Sequence, residues 1–591
     1  GKEGGQPVST WLAYDQETVY FAIKILDDPR SLIKTQYRAN ASLWRDDYVE
    51  LSIDPSGTGS AFCSFRSNPA GATSLYLAGG RAAKAEWQGS FQAKSRILAD
   101  GWSCEMVIPW KILPLPSPGR RDILVQIGWS DASDERFRGM AYTENKIERT
   151  PRWTGVEIPA VKEERVLQLL PYGYSGYDRT GRNSIINGGL DFKTSLGRQG
   201  QVVGTINPDF RNIENRVLGL GFSYFERLAG ESRPFFLEGQ DFLSNGTGEI
   251  FASQRVGEFD AGLKAYGKLS DKSNYALVTT QDFGKQSNII ASYENAVTPD
   301  SGFALGLVSS QRRGLNSNSG QMGARITQGS MTYSGSVSLT DDEVLGSGSS
   351  ISANVGHSRR GSSTGFGYNE VSAGFFPRLG FAPDRGFRSA YLYHGLSLQP
   401  KRGELRSMQI NANANWSERL NGDPYQLGAG AYLSGTTKSR IGLEMAYQQL
   451  RFINSIDHVW SWGISYPTNN SNRRISFGGA AGSLARAQYT NLSVSGTYRI
   501  NPRMLTSLSS QFEDHYQKSR QTIFNISWDL GGYQDLGARM IARDGKINWH
   551  MTWRKAGREG SEFFVIIGDP NAPEFRRSLI VKAVFPLSLK Y

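Results

Sequence analysis

The sequence predicts an all-β protein in two parts: an N-terminal β-sandwich over residues 1–163 and a large antiparallel transmembrane β-barrel over residues 164–591. Aromatic residues make up 12% of the chain and glycine occurs 67 times, a composition that favours strands and tight turns. Runs of alternating polarity recur along the second part. No stretch approaches the ~18 apolar residues that a membrane-spanning helix needs, so the prediction contains no such helix.

Charge separates the two parts. Residues 1–163 contain 20 Lys and Arg against 20 Asp and Glu, so the net charge of +11 resides in residues 164–591. All five histidines also lie in the second part, whereas both cysteines, Cys63 and Cys104, lie in the first. This shift in composition indicates two units with different roles.

The first part consists of short β-rich runs separated by turn residues. Turns such as Asp54-Pro-Ser-Gly and Asn68-Pro-Ala-Gly separate the runs at the spacing of a compact antiparallel sandwich. The runs are Val8–Tyr14, Thr18–Ile25, Tyr48–Ile53, Phe62–Arg66, Phe91–Leu98, Trp102–Pro109 and Ile123–Ser130.

Two small sets of residues in the first part have alternative interpretations. Cys63 and Cys104 each fall in a predicted strand, and they either form a disulfide in an oxidising compartment or remain buried thiols. An acidic cluster either binds calcium through its carboxylate oxygens or accepts turn and strand-edge hydrogen bonds. Its members are Asp46, Asp47, Glu50 and Asp54.

Three strings of the first part resemble the family 9 carbohydrate-binding module. They are Trp11-Leu-Ala-Tyr-Asp with Val19-Tyr-Phe-Ala, Trp44-Arg-Asp-Asp-Tyr-Val-Glu-Leu-Ser-Ile-Asp, and Gly101-Trp-Ser-Cys-Glu-Met-Val-Ile-Pro-Trp. The resemblance implies saccharide binding on exposed aromatic rings, for which Trp44, Trp87 and Trp129 are the candidates. The alternative is that such tryptophans fill the sandwich core.

The sequence predicts binding rather than catalysis. Residues 1–163 contain no histidine, which excludes a Ser-His or Cys-His arrangement there. No pair of carboxylates stands in a glycosidase-like context. We therefore expect no enzymatic activity.

Strand-length alternation identifies the second part as a membrane barrel. In Met408–Ser417, apolar residues alternate with Gln, Asn and Ser, and the same pattern occurs in Phe524–Leu530 and Ile547–Arg554. No helix or covering sheet is predicted to bury the apolar faces. A closed barrel places those faces against lipid and the polar faces around a wet lumen.

The end of the chain carries an apolar stripe on alternate residues from Leu579 to Tyr591. It resembles the C-terminal assembly signal of bacterial outer-membrane barrels, with Phe585, Leu587, Leu589 and Tyr591 as the signal residues. At roughly 16–20 residues per strand and turn, the second part forms about 20–24 strands, an even number. An even number with a periplasmic C-terminus places the sandwich on the periplasmic side too, unless the sandwich is threaded into the pore.

One segment, residues 207–242, breaks the alternation. A non-alternating stretch of this length rich in phenylalanine predicts an ordered insert folded into the lumen as a plug or brace. Arg233 is expected to pair with Glu231, Glu238 or Asp209. The residues that define the plug are Asn207, Pro208, Asp209, Phe210, Arg233, Pro234, Phe235, Phe236, Glu238 and Gly239.

The strings Asn207-Pro-Asp-Phe and Arg233-Pro-Phe-Phe-Leu-Glu-Gly resemble hallmarks of an uncharacterised bacterial outer-membrane barrel family that carries a family-9-like N-terminal domain. The resemblance spans nearly the whole chain and implies architecture and location. After the first string that family tends to continue with acidic residues. This chain departs from the pattern, because it has Glu214 and then Arg216 at that spacing.

Two functions follow as hypotheses. The first is an outer-membrane channel or uptake component whose sandwich binds saccharide or controls access. The second is a structural, assembly or export component whose sandwich docks other outer-membrane or periplasmic proteins. Arginine pairs such as Arg312-Arg313 are expected at the rims, where they meet lipid head groups including lipopolysaccharide, or in the lumen, where they favour anions. No nucleic-acid-binding motif accompanies them.

Overall fold

The computed structural model describes residues 8–34, 36–37, 41–44, 46–59, 62–77, 91–132, 136–141, 150–161, 166–197, 199–298, 300–501, 503–556 and 561–590. Strands β1–β10 belong to the first part and β11–β35 to the second. Two short helices, α1 and α2, lie between β13 and β14.

The first-part strands are β1 Val8–Tyr14, β2 Thr18–Leu26, β3 Tyr48–Asp54, β4 Cys63–Ser67, β5 Thr73–Tyr76, β6 Gln92–Leu98, β7 Gly101–Pro109, β8 Gly119–Asp131, β9 Arg136–Gly139 and β10 Arg152–Ile158. The second-part elements begin with β11 Val166–Asp178, β12 Asn183–Leu196, β13 Gly200–Ile206, α1 Pro234–Leu237, α2 Gln240–Thr247, β14 Ala261–Ser270, β15 Ser273–Asp282, β16 Gln286–Thr298, β17 Ser301–Arg312, β18 Leu315–Gln328, β19 Met331–Asp342, β20 Gly346–Arg359, β21 Ser362–Val371 and β22 Phe387–Leu398. They continue with β23 Leu405–Arg419, β24 Pro424–Thr437, β25 Gly442–Phe452, β26 Ser455–Tyr466, β27 Arg473–Leu484, β28 Ala487–Asn501, β29 Met504–Asp514, β30 Lys518–Gly531, β31 Gln534–Arg543, β32 Lys546–Ala556, β33 Glu562–Ile567, β34 Ser578–Val584 and β35 Leu587–Lys590.

The first part is a two-sheet domain, as the turn spacing predicts. One sheet has the strand order β1-β2-β7-β6, and the other has the order β10-β8-β3-β4-β5 with β9 paired to β8. Alternate residues of β2, β3, β7 and β8 meet in one apolar core. Because one face of each sheet is buried against the other, the alternation along the strands fixes which residues enter this core. We call residues 8–158 the sandwich domain.

Both cysteines lie in the core of the sandwich domain. Cys63 belongs to β4 and Cys104 to β7, which are strands of different sheets. No disulfide joins them, and both are buried thiols. Burial raises the pKa of the Cys104 thiol to about 11, because an apolar surrounding disfavours the thiolate. The sequence left a disulfide and two buried thiols as alternatives, and the structure contains the buried thiols.

The second part is a closed antiparallel barrel of 24 strands. β34 and β35 together form its last strand, since both pair with β11 and close the barrel. Pro586, which has no backbone N–H, separates them and interrupts the ladder. We call the rim at which β11 begins and β35 ends the terminal rim, and the opposite rim the insert rim. The sandwich ends at Ile158 and the barrel begins at Val166, so the expected boundary at 163 lies outside the described residues.

The barrel exterior is apolar and the interior is polar. Exposed leucine, isoleucine, phenylalanine and tryptophan side chains recur at alternate positions, as at Leu305 and Leu307 in β17 and Trp460 and Trp462 in β26. Serine, threonine, asparagine and lysine occupy the intervening positions, many of them buried. Among the residues that the structure describes, no helix is long and apolar enough to cross a membrane.

One connection is much longer than the others. β13 pairs directly with β14, with Ile206 opposite Ala261, so residues 207–260 leave and re-enter the wall at one point of the insert rim. The expected plug ended at residue 242, which is too early: α2 continues to Thr247, and the chain returns to the wall only at Ala261. We call residues 207–260 the insert.

Candidate functional site

The insert crosses the barrel lumen close to the insert rim. It contacts lumen-facing side chains on widely separated strands, including Lys582 of β34, Arg539 of β31 and Gln511 of β29. Each of these three residues lies within about four residues of the insert-rim end of its strand. At the rise of a β-strand, this corresponds to a depth of roughly 13 Å below the rim. α2 packs against β14–β18 on the other side. The insert thus reaches from the wall near β14 across to β26–β34.

The string Asn207-Pro-Asp-Phe fastens the beginning of the insert to the seam where the first and last strands meet. Asn207 Nδ2 donates to the carbonyl of Gly188 at 2.7 Å, and the Tyr172 hydroxyl of β11 donates to the Asn207 carbonyl. Asp209 accepts from Lys582 Nζ of β34 at 2.7 Å, with the carboxylate 6% exposed. Because β11 and β34 close the barrel, this string braces the closing seam.

Glu238 is the central anchor of the insert. Its Oε1 accepts hydrogen bonds from Lys193 Nζ at 2.7 Å and from the Tyr266 hydroxyl at 2.8 Å. Its backbone carbonyl accepts from Lys264 Nζ at 2.8 Å, and Lys264 is fully buried. A buried carboxylate held by an ammonium group and a hydroxyl is strongly oriented, so β12 and β14 fix the insert at this residue.

Gly239 follows the anchor because the backbone turns sharply there. Its φ is +63°, which favours glycine. A Cβ at this position would lie 2.7 Å from the Tyr266 ring. The close approach lets the Tyr266 hydroxyl reach Glu238.

Arg233 organises the insert internally. The sequence left Glu231, Glu238 and Asp209 as alternative partners. Arg233 pairs with Glu231, at 2.7 Å from Nη2 to Oε2. Its Nη1 also donates to the carbonyl of Val256 at 2.7 Å, which ties the two arms of the insert together. Glu238 and Asp209 are bound instead by lysines of the wall.

The phenylalanines of both strings fill a hydrophobic core between the insert and the wall. Phe235 and Phe236, in α1, are buried and pack with Phe259. Phe210 packs edge-on against Phe259 at 5.1 Å between ring centroids. Pro234 occupies the first turn of α1, where the missing N–H is not needed. All ten residues that defined the plug therefore lie within the insert, most of them in direct contact with the wall or with this core.

The far side of the insert binds the opposite wall through polar groups. Glu214 lies 2.5 Å from Arg539 Nη1 and 3.3 Å from His550 Nε2. The Tyr224 hydroxyl donates to Asp457 at 2.5 Å. The sequence flagged Glu214 only as a departure from the resembled family. The sequence alone did not identify the wall residues that bind the insert, which are Lys193, Lys264, Lys582 and Arg539. The only signal for them in the sequence is alternation, which places these charged residues on the strand face that points away from lipid.

The sandwich domain contacts turns of the terminal rim. Gln199, in the β12–β13 turn, donates to the carbonyl of Leu115 at 2.9 Å. Thr58 donates to the carbonyl of Asp271, in the β14–β15 turn, at 3.1 Å, and Arg121 lies 3.7 Å from the Asp271 carboxylate. The domain is therefore attached to the barrel end opposite the insert.

The three candidate tryptophans do not form one surface within the described residues. Trp44 is 60% exposed. Trp129 packs against the sandwich core, and Trp102 and Trp110 are buried in it. Trp87 lies outside the described residues. Trp44 is thus the described candidate whose ring faces solvent, and saccharide binding by this domain stays a prediction.

The four carboxylates of the acidic cluster accept hydrogen bonds within the sandwich domain. Asp46 accepts from Asn68 Nδ2 at 2.8 Å, and Glu50 accepts from Arg66 Nε at 2.8 Å. Asp54 accepts from the backbone of its own turn. The backbone N–H groups of residues 33 and 132 donate to Asp47. Within the described residues, no group of three or more His, Cys, Asp or Glu is arranged to hold a metal ion.

The apolar stripe at the chain end faces outward. Phe585, Leu587 and Leu589 are each about half exposed on the barrel exterior, and Tyr591 lies outside the described residues. The stripe thus belongs to the seam strand that pairs with β11. Its role as an assembly signal stays a prediction.

Comparison with known proteins gives one family and a set of distant barrels. Residues 165–276, which include both strings of the insert, match a family described as a domain of unknown function (DUF5916). No curated protein matches the chain. The siderophore receptor PirA from Pseudomonas aeruginosa aligns over 73% of this chain and 82% of its own, with 8% identity and a TM-score of 0.41.

Two further solved structures align over a similar share of this chain with lower TM-scores. OpdL from Pseudomonas aeruginosa aligns over 72% of this chain and 98% of its own, with 10% identity and a TM-score of 0.29. The outer membrane protein opdK from the same organism aligns over 73% and 100%, with 9% identity and a TM-score of 0.27. The chain is thus similar over its first barrel strands and insert to a family of unknown function.

Proposed function

We propose that this protein is a bacterial outer-membrane channel or uptake component whose insert restricts the lumen. The observation that carries the proposal is a polar, closed lumen inside an apolar exterior, crossed by an insert that the wall itself holds. A barrel with this polarity satisfies every backbone group in lipid and leaves water inside. We therefore assign it to the outer membrane, where its exterior meets lipid and lipopolysaccharide.

The way in which the insert is held supports restriction of the lumen. Its contacts run from Lys193 and Lys264 on one side to Arg539 and Asp457 on the other. A segment that served only to stiffen one wall would not need polar partners on both sides of the lumen. Solutes that cross must pass beside the insert or displace it.

The sandwich domain serves this channel from the terminal rim. Its contacts with the β12–β13 and β14–β15 turns support a position from which it controls access or delivers a bound saccharide. We place this rim on the periplasmic side, because both ends of an even-stranded barrel lie at one rim and the long connections of outer-membrane barrels, here the insert, leave the opposite, extracellular rim. Trp44 is the described residue through which it would stack a sugar ring.

Conductance in planar bilayers tests the proposal. Because Asn207 N donates to the carbonyl of Asp260 at 2.6 Å, residues 208–259 can be replaced by two glycines without separating β13 from β14. We expect low conductance from the full chain and a large, stable conductance from the variant. If a folded variant conducts no ions, the channel function is wrong and a structural or assembly role, with the sandwich docking other proteins, replaces it.

Saccharide binding by the sandwich domain has its own test. Calorimetry of the full chain against a panel of glycans, with and without calcium, should show a binding site that Trp44→Ala removes. Trp11→Ala is the matched control, since Trp11 is 57% exposed on β1, which belongs to the sheet without β3, whereas Trp44 shortly precedes β3. Equal loss in both variants would argue against a site at Trp44.

A further inference from the structure

The middle of the lumen wall formed by β21–β24 differs from the parts of the wall that hold the insert. Register shows which residues face inward. Ser338 of β19 donates to Glu249 of the insert, so it faces the lumen. It pairs with Ser350 of β20. Residues directly opposite each other in a sheet share a face.

The same register extends to the next four strands. Asn354, four residues after Ser350, pairs with Gly367 of β21, and Gly367 pairs with Tyr391 of β22. Tyr391 pairs with Asn415 of β23, and Asn415 with Gly428 of β24. Alternation then places every second residue of these strands in the lumen. In the middle of β21–β24 these positions hold Gly, Ser, Asn, Gln and Tyr, with no charged side chain.

Two tyrosines of this wall lie over glycines of the neighbouring strand. A Cβ on Gly365 would lie 2.1 Å from the Tyr393 ring, and a Cβ on Gly367 would lie 2.3 Å from the Tyr391 ring. The rings therefore lie down against β21 instead of projecting across the lumen. The Tyr391 hydroxyl donates to Asn354 Oδ1 at 2.6 Å and fixes its ring. Both tyrosines remain about 40% exposed.

A row of three amides follows directly beside the tyrosines. Asn411, Asn413 and Asn415 occupy successive inward positions of β23, opposite Gly395, Tyr393 and Tyr391. Asn411 and Asn413 are exposed. Each amide offers two donors and an acceptor, spaced along the strand at about 6.7 Å. We call Tyr391, Tyr393 and these three asparagines the tyrosine–asparagine wall.

We propose that the tyrosine–asparagine wall binds a neutral, polyhydroxylated solute, an oligosaccharide, on its way through the lumen. Aromatic faces accept the apolar C–H face of a sugar ring, and the amides match hydroxyl groups, which both donate and accept. The wall offers no counter-charge to an ionic solute. The lysines and arginine that face the lumen elsewhere at the insert, Lys193, Lys264, Lys582 and Arg539, are bound to the insert.

This inference rests on the proposed channel function, and the test separates the two. The full chain carrying Trp44→Ala, which removes the saccharide site proposed for the sandwich domain, is titrated in detergent by calorimetry with neutral hexasaccharides built of α-glucan, β-glucan and mannan, and with an anionic hexagalacturonate. We expect one neutral hexasaccharide to bind. Truncation of both rings in Tyr391→Ala/Tyr393→Ala should weaken it by about tenfold or more, since both aromatic faces on which the sugar rings stack are then lost.

The chain supplies matched controls. Leu392 lies between the two tyrosines, on the exterior, and is 51% exposed, so Leu392→Ala should leave binding unchanged. Tyr391→Phe keeps the ring and should retain most of the affinity. If the double tyrosine variant does not fold, Asn411→Ala/Asn413→Ala tests the same wall without changing the packing over β21, and it should also weaken binding.

Three results would overturn the inference: no neutral hexasaccharide binds, only the anionic one binds, or binding is unaffected by the wall variants. The same preparations are measured in planar bilayers. Conductance without saccharide binding would refute the inference and leave the channel function standing. Absence of conductance from the folded variant that lacks residues 208–259 would refute the channel function itself.

Discussion

Replacing Glu238 with glutamine should release the insert from the wall while leaving the barrel intact. The Glu238 carboxylate is 4% exposed and lies 2.7 Å from Lys193 Nζ, whose side chain is 9% exposed. Removing one partner of a buried ion pair costs about 3–5 kcal/mol. Glutamine keeps an acceptor for the Tyr266 hydroxyl, so we expect the lower end, about 3 kcal/mol, which is roughly a hundredfold in the docking equilibrium.

Amide hydrogen exchange measures this equilibrium directly, because local opening controls exchange within a stable fold. Amides of α1 and α2 in reconstituted Glu238→Gln protein should exchange roughly a hundredfold faster than in the parent, while those of β20–β30 should not change. Conductance should rise in the same preparation, since a released insert no longer restricts the lumen.

Two controls sharpen the result. Glu574→Gln removes a carboxylate from an exposed pair with Lys546 and should have no effect, because such pairs contribute about 0–1 kcal/mol. Lys193→Met combined with Glu238→Gln removes both charges and should recover part of the docking energy. Unchanged exchange in α1 and α2, or equal acceleration throughout the barrel, would refute the claim that Glu238 holds the insert to β12.

Three further predictions address other contacts. Gly239→Ala, which places a Cβ 2.7 Å from the Tyr266 ring at φ +63°, should accelerate exchange in α2 by about tenfold or more, whereas Gly403→Ala, at φ +84° with open space around it, should not. Asp209→Asn should lower the temperature at which the folded barrel is lost on gels, because it removes the negative charge that pairs with Lys582 at the seam; an unchanged transition would contradict the bracing role. Burial raises the pKa of Asp47 from 3.8 to about 7, so its stabilising contribution is full below pH 3.8 and lost as the pH rises through 7. The protection factors of the β3 amides, which correct for the intrinsic rise of exchange with pH, should therefore fall over that range, and pH-independent protection factors would contradict it.

The architecture could be predicted because its cause is local. Alternation with period two decides which face of a strand is apolar, and the absence of a second layer then requires lipid on that side. The exterior positions of β30, from Phe524 to Leu530, follow from this rule alone. The strand runs of the sandwich domain agree with the structure for the same reason.

The contacts of the insert could not be predicted in this way. The insert has no periodicity, so the sequence indicated that residues 207–242 form a plug but not where the plug ends or what holds it. Arg233 had three acidic candidates, and only the three-dimensional arrangement showed that Glu231 binds it while Lys193 and Lys582 bind the other two. Those lysines lie 45 and 373 residues from their partners, a separation that leaves no local pattern.

The sequence by itself thus determined the class of fold, the two parts and the existence of a lumenal segment, because polarity alternation and composition act over a few neighbouring residues. The tertiary structure alone decided the strand count, the bounds of the insert, its buried anchor at Glu238 and the neutral wall beside Tyr391. These features depend on which strands face each other across the lumen, and closure of the barrel sets that arrangement.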